Sequence, residues 1–251
     1  WEARQALRPD LGILVMSATL DAGPVAAMLD QAPVATSAGQ SFPVETLWQD
    51  APAKSGAWLE DRVAEQVVFA LAQTAGDVLV FLPGAREIHG VESRLKGRVG
   101  DTALHPLFGA MPFKAQRAAI SAGPGRKVVL ATSIAETSLT IEGVRVVIDA
   151  GLARRARYDP GSGMTRLVTE RASRAEADQR RGRAGRVAPG VCYRLWTKGE
   201  AGAMPEFAPA EVETADLAGL ALDLAAWGTD GAAGMAFLTP PPAGAWGEAR
   251  D

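Results

Sequence analysis

One cysteine, two histidines and two tyrosines are all that 251 residues contain of those side chains. A single thiol excludes an internal disulfide and fits a reducing, cytoplasmic compartment. Cys192 lies between Val191 and Tyr193 in an apolar run, so it reads as strand packing and not as a nucleophile. With only His89 and His105 beside it, the chain has too few soft ligands for a zinc site. No apolar run is long enough to cross a bilayer. The opening WEARQALRPD has neither the cationic start nor the apolar stretch of an export signal. It also lacks an initiator Met, which predicts a piece of a longer polypeptide.

What is present is ordinary in amount and unusual in arrangement. Apolar residues make up 47% and charged residues 22%, the balance of a globular domain. Net charge is only −3, yet ten arginines against four carboxylates lie between Arg154 and Arg186. That segment therefore carries a surplus of six positive charges, and the remainder of the chain stands at −9. A cationic patch on an acidic body is a local field that attracts phosphates.

Short β-rich runs alternate with helical patterns. GILVMSA (Gly12–Ala18) reads as a buried strand. In WLEDRVAEQVVFALAQTAG, Leu59, Val63, Val67 and Leu71 recur every four residues, a helix face closed by Gly76. DVLVFLP, TALHPLFG, RKVVLATS, VRVVIDAG and GVCYRLW read as strands, with a helix carrying Ile88, Val91 and Leu95 and another starting near Pro112. Continuous Val/Ile/Leu runs between helices predict an α/β fold: a doubly wound, mostly parallel sheet covered on both faces. Ligands of such sheets sit at the loop-bearing edge beyond the strand C-termini. Residues 1–35 read as the tail of a preceding domain and 36–198 as the α/β layer. Residues 199–251 are Ala-rich, acidic and helical, with a stripe of Leu217, Leu220, Leu224 and Trp227.

ADQRRGRAGRVAPG (Ala177–Gly190) concentrates the cationic segment, with four arginines between Gln179 and Arg186. Ser173 is an N-cap with Glu176 as its capping-box partner, so a helix runs into the arginines. The spacing puts Arg183 and Arg186 on one side, and Gly182 and Gly185 leave room for a backbone or a ligand. Planar guanidinium groups donate in pairs to phosphoryl oxygens and stay charged. An exposed basic helix accounts for the composition as well, but not for the ordered Q-R-x-G-R-x-G-R spacing.

That spacing resembles motif VI of superfamily-two helicases. ATSIAETSLTIEGVRVVIDAG (Ala131–Gly151) is similar to motif V of the DEAH-box branch, MSATL (Met16–Leu20) to motif III and VLVFLPGAREI (Val78–Ile88) to motif IV. The phrasing of SFPVE, SLTIEGVRVVIDAGLAR and TRLVTERAS is similar to the bacterial HrpB-type ATP-dependent RNA helicases. Four motifs in order over nearly the whole chain are specific, where SAT alone carries little.

The resemblance implies the end of a first RecA-like lobe, the whole second lobe and the start of a winged-helix region. Gln179 would position the lytic water, and Arg183 and Arg186 would be the arginine fingers. Ser138 would sense the γ-phosphate or the water, while Thr140 and Glu142 would face the phosphate and ribose side. Many relatives carry Asp where this chain has Glu142. Ile120 occupies the place of an adenine-stacking aromatic; as an aliphatic it presses without stacking, and ordinary packing explains it equally. Thr132 and Ser133 would hold an RNA phosphate, Ser133 standing where Asn is usual, and Pro83 and Gly84 would let the RNA backbone approach. Ser17 and Thr19 would couple hydrolysis to lobe movement. Arg154, Arg155 and Arg157 lead into YDPGSGMTRLVTE, which would be a strand-separating hairpin.

The chain contains no G-x-x-x-x-G-K-[ST] loop and no D-E-x-H motif. The resemblance therefore implies ATP and Mg²⁺ held mainly by the first lobe of the same protein, and a chain inactive by itself. Single-stranded or duplex RNA is the implied partner. A non-catalytic nucleic-acid-binding module and a motor acting on DNA are the alternatives.

Overall fold

The computed structural model describes residues 1–16, 22–37, 41–136, 139–229 and 231–250. Two compact units divide the chain: one is Gly39–Arg155 with Thr169–Ala208, the other Trp1–Ala38, Ala156–Val168 and Pro209–Asp251.

The first of these units is built on a six-stranded sheet. Its strands are β1 (Val44–Trp48), β2 (Asp77–Phe81), β3 (Ala103–Leu107), β4 (Lys127–Ala131), β5 (Val144–Asp149) and β8 (Gly190–Arg194), in the order β1-β8-β5-β2-β4-β3. Every ladder is parallel. A parallel sheet needs helices on its faces to bury both sides, and the alternation along the strands supplies two cores. Val78, Val80, Val128, Leu130, Val146 and Ile148 pack against α3 (Leu59–Gln73) and α4 (Ala85–Leu95). The intervening Leu79, Phe81, Val129, Ala131, Val147 and Cys192 pack on the other face with Ala119 of α5 (Phe113–Ile120), Ala135, Ile141 and Ala184. On α3 the buried Val63, Ala64, Val67 and Ala70 form one stripe. Each of the two valines contributes about 1.5–3 kcal/mol on burial, the alanines less. Cys192 belongs to this core, and burial pushes its thiol up to about 12.

β6 (Leu152–Asp159) and β7 (Met164–Arg171) pair as a separate ribbon. Pro160–Gly163 makes the turn, and Asp159 accepts from the Gly161 amide at 3.2 Å and the Ser162 hydroxyl at 2.7 Å. α6 (Arg174–Gly182) follows, then β8 and α7 (Lys198–Gly202).

The other unit contains α1 (Glu2–Ala6), α2 (Ala22–Met28), α8 (Ala218–Trp227) and α9 (Ala243–Glu248). α8 carries the apolar stripe in part: Leu217 and Leu224 are buried, whereas Trp227 is half exposed. The strand expected at Gly12–Ala18 is corrected for the described residues 12–16. They adopt no regular structure, and Leu14 and Met16 are about four-fifths exposed. An apolar run becomes a strand only when neighbours take up its N–H and C=O groups, and no described strand runs beside this one.

Candidate functional site

α6 organises the site. Its N-terminus is closed by the capping box expected of Ser173 and Glu176: the Ser173 hydroxyl accepts from the Glu176 amide at 3.2 Å, and the Glu176 carboxylate accepts from the Ser173 amide at 2.6 Å. The same carboxylate takes Arg155 at 2.5 Å, while Arg155 also reaches Glu170 at 2.7 Å. Both strands at the ribbon's base are thereby joined to the first turn of α6.

The helix runs into the arginines as expected and takes in Arg180 and Arg181. It ends at Gly182, and Arg183–Gly185 form a single 3₁₀ turn. Main chains pack closely around this turn. A Cβ on Gly185 would stand 2.5 Å from the Phe42 carbonyl oxygen, and one on Gly190 would stand 2.6 Å from that of Arg145. Gly182, by contrast, faces open space. Of the two glycines expected to give room, only Gly185 uses it.

This turn separates the two arginines by environment. Arg183 is buried and donates to the main-chain oxygens of Leu139, at 2.7 Å, and Glu136. Burial, with the neighbouring Arg186 charge, draws its guanidinium down to about 10, so it remains charged at neutral pH. Arg186 is exposed and donates to the Thr140 hydroxyl at 2.9 Å. Thr140 precedes β5, and Gly185 lies against the start of β1, so both arginines occupy the edge where strands begin. Glu142 is exposed on that edge, lining an open cavity of about 530 Å³ with Gly76, Asp77 and Arg126. Ile120 ends α5 there, half-buried against the sheet. The Lys127 ammonium donates to the carbonyls of Ala119 at 3.0 Å and Ser121 at 2.6 Å, which fixes that helix end. Gln179 is partly buried on α6, one turn before Arg183. Ser138 lies outside the described residues, as do Ser17 and Thr19.

The second group of expected residues collects at the opposite edge. Thr132 and Ser133 follow β4, Ser133 exposed, in a 3₁₀ turn that spans Ser133–Ala135. The Thr132 amide donates to the Leu107 carbonyl at 3.1 Å. Pro83 and Gly84 follow β2 and are buried. The room beside Gly84 is filled by the guanidinium of Arg154, which pairs with Glu87 at 3.2 Å. Arg157 lies further along β6, partly buried. The sequence pointed to one ligand-bearing edge; the candidate residues divide between two.

A largely buried cluster went unnoticed in the sequence. Arg180 donates to Glu136 at 2.7 Å, to Asp149 at 2.9 Å and to the Leu152 carbonyl at 3.1 Å, and its guanidinium lies 5.2 Å from the Phe81 ring centroid. Burial alone would lower Arg180, but Asp149 and Glu136 more than offset it and hold it above its ordinary value. Burial, with the nearby Glu176 and Asp149 charges, holds the Glu136 carboxyl above its ordinary value in spite of Arg180. The available signal was an Asp closing VRVVID, a strand that is apolar apart from Arg145 at its start, because a buried carboxylate requires a cation.

Among the described residues, no group of three or more His, Cys, Asp or Glu is arranged to hold a metal ion. Nor is any helix among them long and apolar enough to cross a membrane.

The fold and site define a RecA-like α/β domain whose arginine-tipped helix ends beside a loop rich in hydrogen-bonding groups. Residues 61–188 match the helicase conserved C-terminal domain, and the chain belongs to that family, as the C-terminal part of a DEAH-box helicase core. It is 46% identical over 244 residues to the ATP-dependent RNA helicase HrpB of Escherichia coli (strain K12), covering 96% of this chain and 30% of that protein. It is 37% identical over 248 residues to the pre-mRNA-splicing factor ATP-dependent RNA helicase prp22 of Schizosaccharomyces pombe, covering 94% and 21%. Two crystal structures of E. coli HrpB superpose with TM-scores of 0.91 and 0.93 at 44% identity, over 99% of this chain. The chain spans about a third or less of the length of these relatives.

Proposed function

We propose that this chain is the second motor lobe, with flanks, of an ATP-dependent RNA helicase. The observation that carries the reading is the meeting of Arg183, Arg186 and the Thr140 loop at one sheet edge, while Thr132 and Ser133 stand at the other. One edge offers fixed cations to a triphosphate; the other offers hydroxyls and amides to a nucleic-acid backbone. Residues 1–35 end the first lobe, 36–198 form the second and 199–251 begin a winged-helix region.

In this reading Arg186, and Arg183 behind it, stabilise the negative charge that develops on the γ-phosphoryl group as it leaves ADP. Gln179 orients the attacking water, Ser138 senses the γ-phosphate, and Glu142 accepts from a ribose hydroxyl. Ile120 presses on the base without aromatic stacking, so base selectivity is weak. The first lobe holds Mg²⁺ and the phosphate loop, and Ser17 and Thr19 couple hydrolysis to its movement. RNA is gripped by its backbone through Thr132 and Ser133, with Arg154 and Arg157 steering it toward the hairpin; the Pro83-Gly84 turn, buried and closed by Arg154, is left out of the grip. Backbone contacts carry little sequence preference and weaken with salt.

Steady-state ATP turnover of the intact protein, measured with RNA, with DNA and without nucleic acid, tests the proposal. RNA-stimulated turnover is expected, with none from the 251-residue chain alone. Equal stimulation by DNA points to a motor not confined to RNA, because only the 2′-hydroxyl separates the two backbones. Absence of turnover from the intact protein leaves a binding module and ends the motor reading.

A further inference from the structure

Glu136 is bonded to both halves of this divided site. It closes the 3₁₀ turn that begins at Thr132, its amide donating to the Ser133 carbonyl at 2.9 Å while the Ala135 amide donates to that of Thr132 at 3.2 Å. Its main-chain oxygen accepts from Arg183, and its carboxylate accepts from Arg180 at 2.7 Å. Arg180 lies on α6 and Arg183 opens the 3₁₀ turn that continues it, three residues on in the same segment. A displacement of the Thr132–Glu136 turn is therefore transmitted to that segment by two bonds from one residue.

The carboxylate bond is held from behind. Arg180 is almost fully enclosed, with a side-chain exposure of 2%, and is fixed by Asp149, by the Leu152 carbonyl and by the Phe81 ring. A charge pair in a dry site has one low-energy geometry, so it behaves as a strut rather than a flexible tether. Arg183 meanwhile grips both Glu136 and Leu139 by their carbonyls. The latter two residues flank the segment that contains Ser138.

We infer that Glu136 is a positioning residue that links nucleic-acid contact at Thr132 and Ser133 to the placement of Arg183 at the nucleotide edge, through its paired bonds to Arg180 and Arg183. The inference rests on the motor reading above. Glu136 touches neither ATP nor RNA in this account. It sets how far occupancy of one edge improves catalysis at the other.

Glu136→Gln in the intact protein is the test, because it keeps the side chain's shape and one acceptor oxygen while removing the charge that grips Arg180. The stimulation ratio, turnover with saturating RNA over turnover without it, is expected to fall by at least about fivefold, the lower range of coupling between linked sites. RNA affinity is expected to stay within about twofold, since the Thr132 and Ser133 contacts remain. A solely structural role predicts a lower melting temperature with the two rates reduced in proportion, and an unchanged ratio overturns the proposal. Loss of RNA affinity in step with the ratio also overturns it, by making Glu136 part of the RNA grip. Wild-type turnover indifferent to RNA instead defeats the underlying motor reading, and this inference with it.

Discussion

Arg186 donates to the Thr140 hydroxyl across 2.9 Å, joining residues 46 apart in the chain at the edge where the sheet's strands begin. The bond holds an exposed guanidinium in place with a neutral partner, and among the described residues no carboxylate pairs with it. Such a cation is poised for an anion brought from outside.

Arg186→Ala in the intact protein is accordingly expected to lower ATP turnover on the order of 10³–10⁵-fold, with ATP affinity little changed. Arg186→Lys restores charge without the planar fork and should recover only part of the rate. Turnover within a few-fold of wild type for Arg186→Ala would remove this residue from the catalytic role.

Arg180 and Arg181 are neighbours with opposite expected sensitivities. Arg180 is enclosed between Asp149 and Glu136, whereas Arg181 is partly exposed and stands 3.7 Å from Asp178. Leaving the buried Asp149 and the largely buried Glu136 unpaired is expected to destabilise Arg180→Ala by about 3–5 kcal/mol. Arg181→Ala should change stability by no more than about 0.5 kcal/mol. Urea unfolding of both variants decides; similar midpoints would contradict the buried network.

The glycines of the arginine segment divide in the same way. A methyl at Gly185 collides with the Phe42 main chain, while one at Gly182 meets nothing within 4 Å. Gly185→Ala is expected to lose about 1–3 kcal/mol through overpacking. Gly182→Ala should gain about 0.4–1 kcal/mol by restricting the unfolded chain. Thermal unfolding reports both signs, and a neutral Gly185→Ala would mean that β1 does not press on this turn.

Glu176 gives a pH signature. Burial alone would raise its carboxyl, but the amide and hydroxyl of Ser173 and the guanidinium of Arg155 favour the ionised form and hold it below the usual range. A depressed folded value means that the unfolded state binds the proton more readily. The stabilisation is therefore complete above about pH 4.3, the ordinary glutamate value, and is lost as pH falls through the folded one. The stability gap between wild type and Glu176→Gln should narrow on acidification from pH 7 to pH 3. A constant gap would show that the ionised form is not preferred.

Five of the six sheet strands, α3 to α6 and the capping box were legible because each is written locally, in apolar period and cap chemistry. The first apolar run misled for the same reason. GILVM has strand composition, but a strand is a relation to neighbours, and no described strand runs beside it. β1 is the converse: half-buried at an edge, its VETLW has no continuous apolar run to announce it.

By itself the sequence determined which residue types stand at which intervals, and with that the parallel α/β build and the family resemblance. Tertiary structure decided their partners. It ended α6 at Gly182, buried Arg183 while leaving Arg186 exposed, and brought Arg180 to carboxylates 31 and 44 residues away. Interval and period act through bonds within a few residues. Burial and charge pairing act through space, and only the folded path of the whole chain specifies those distances.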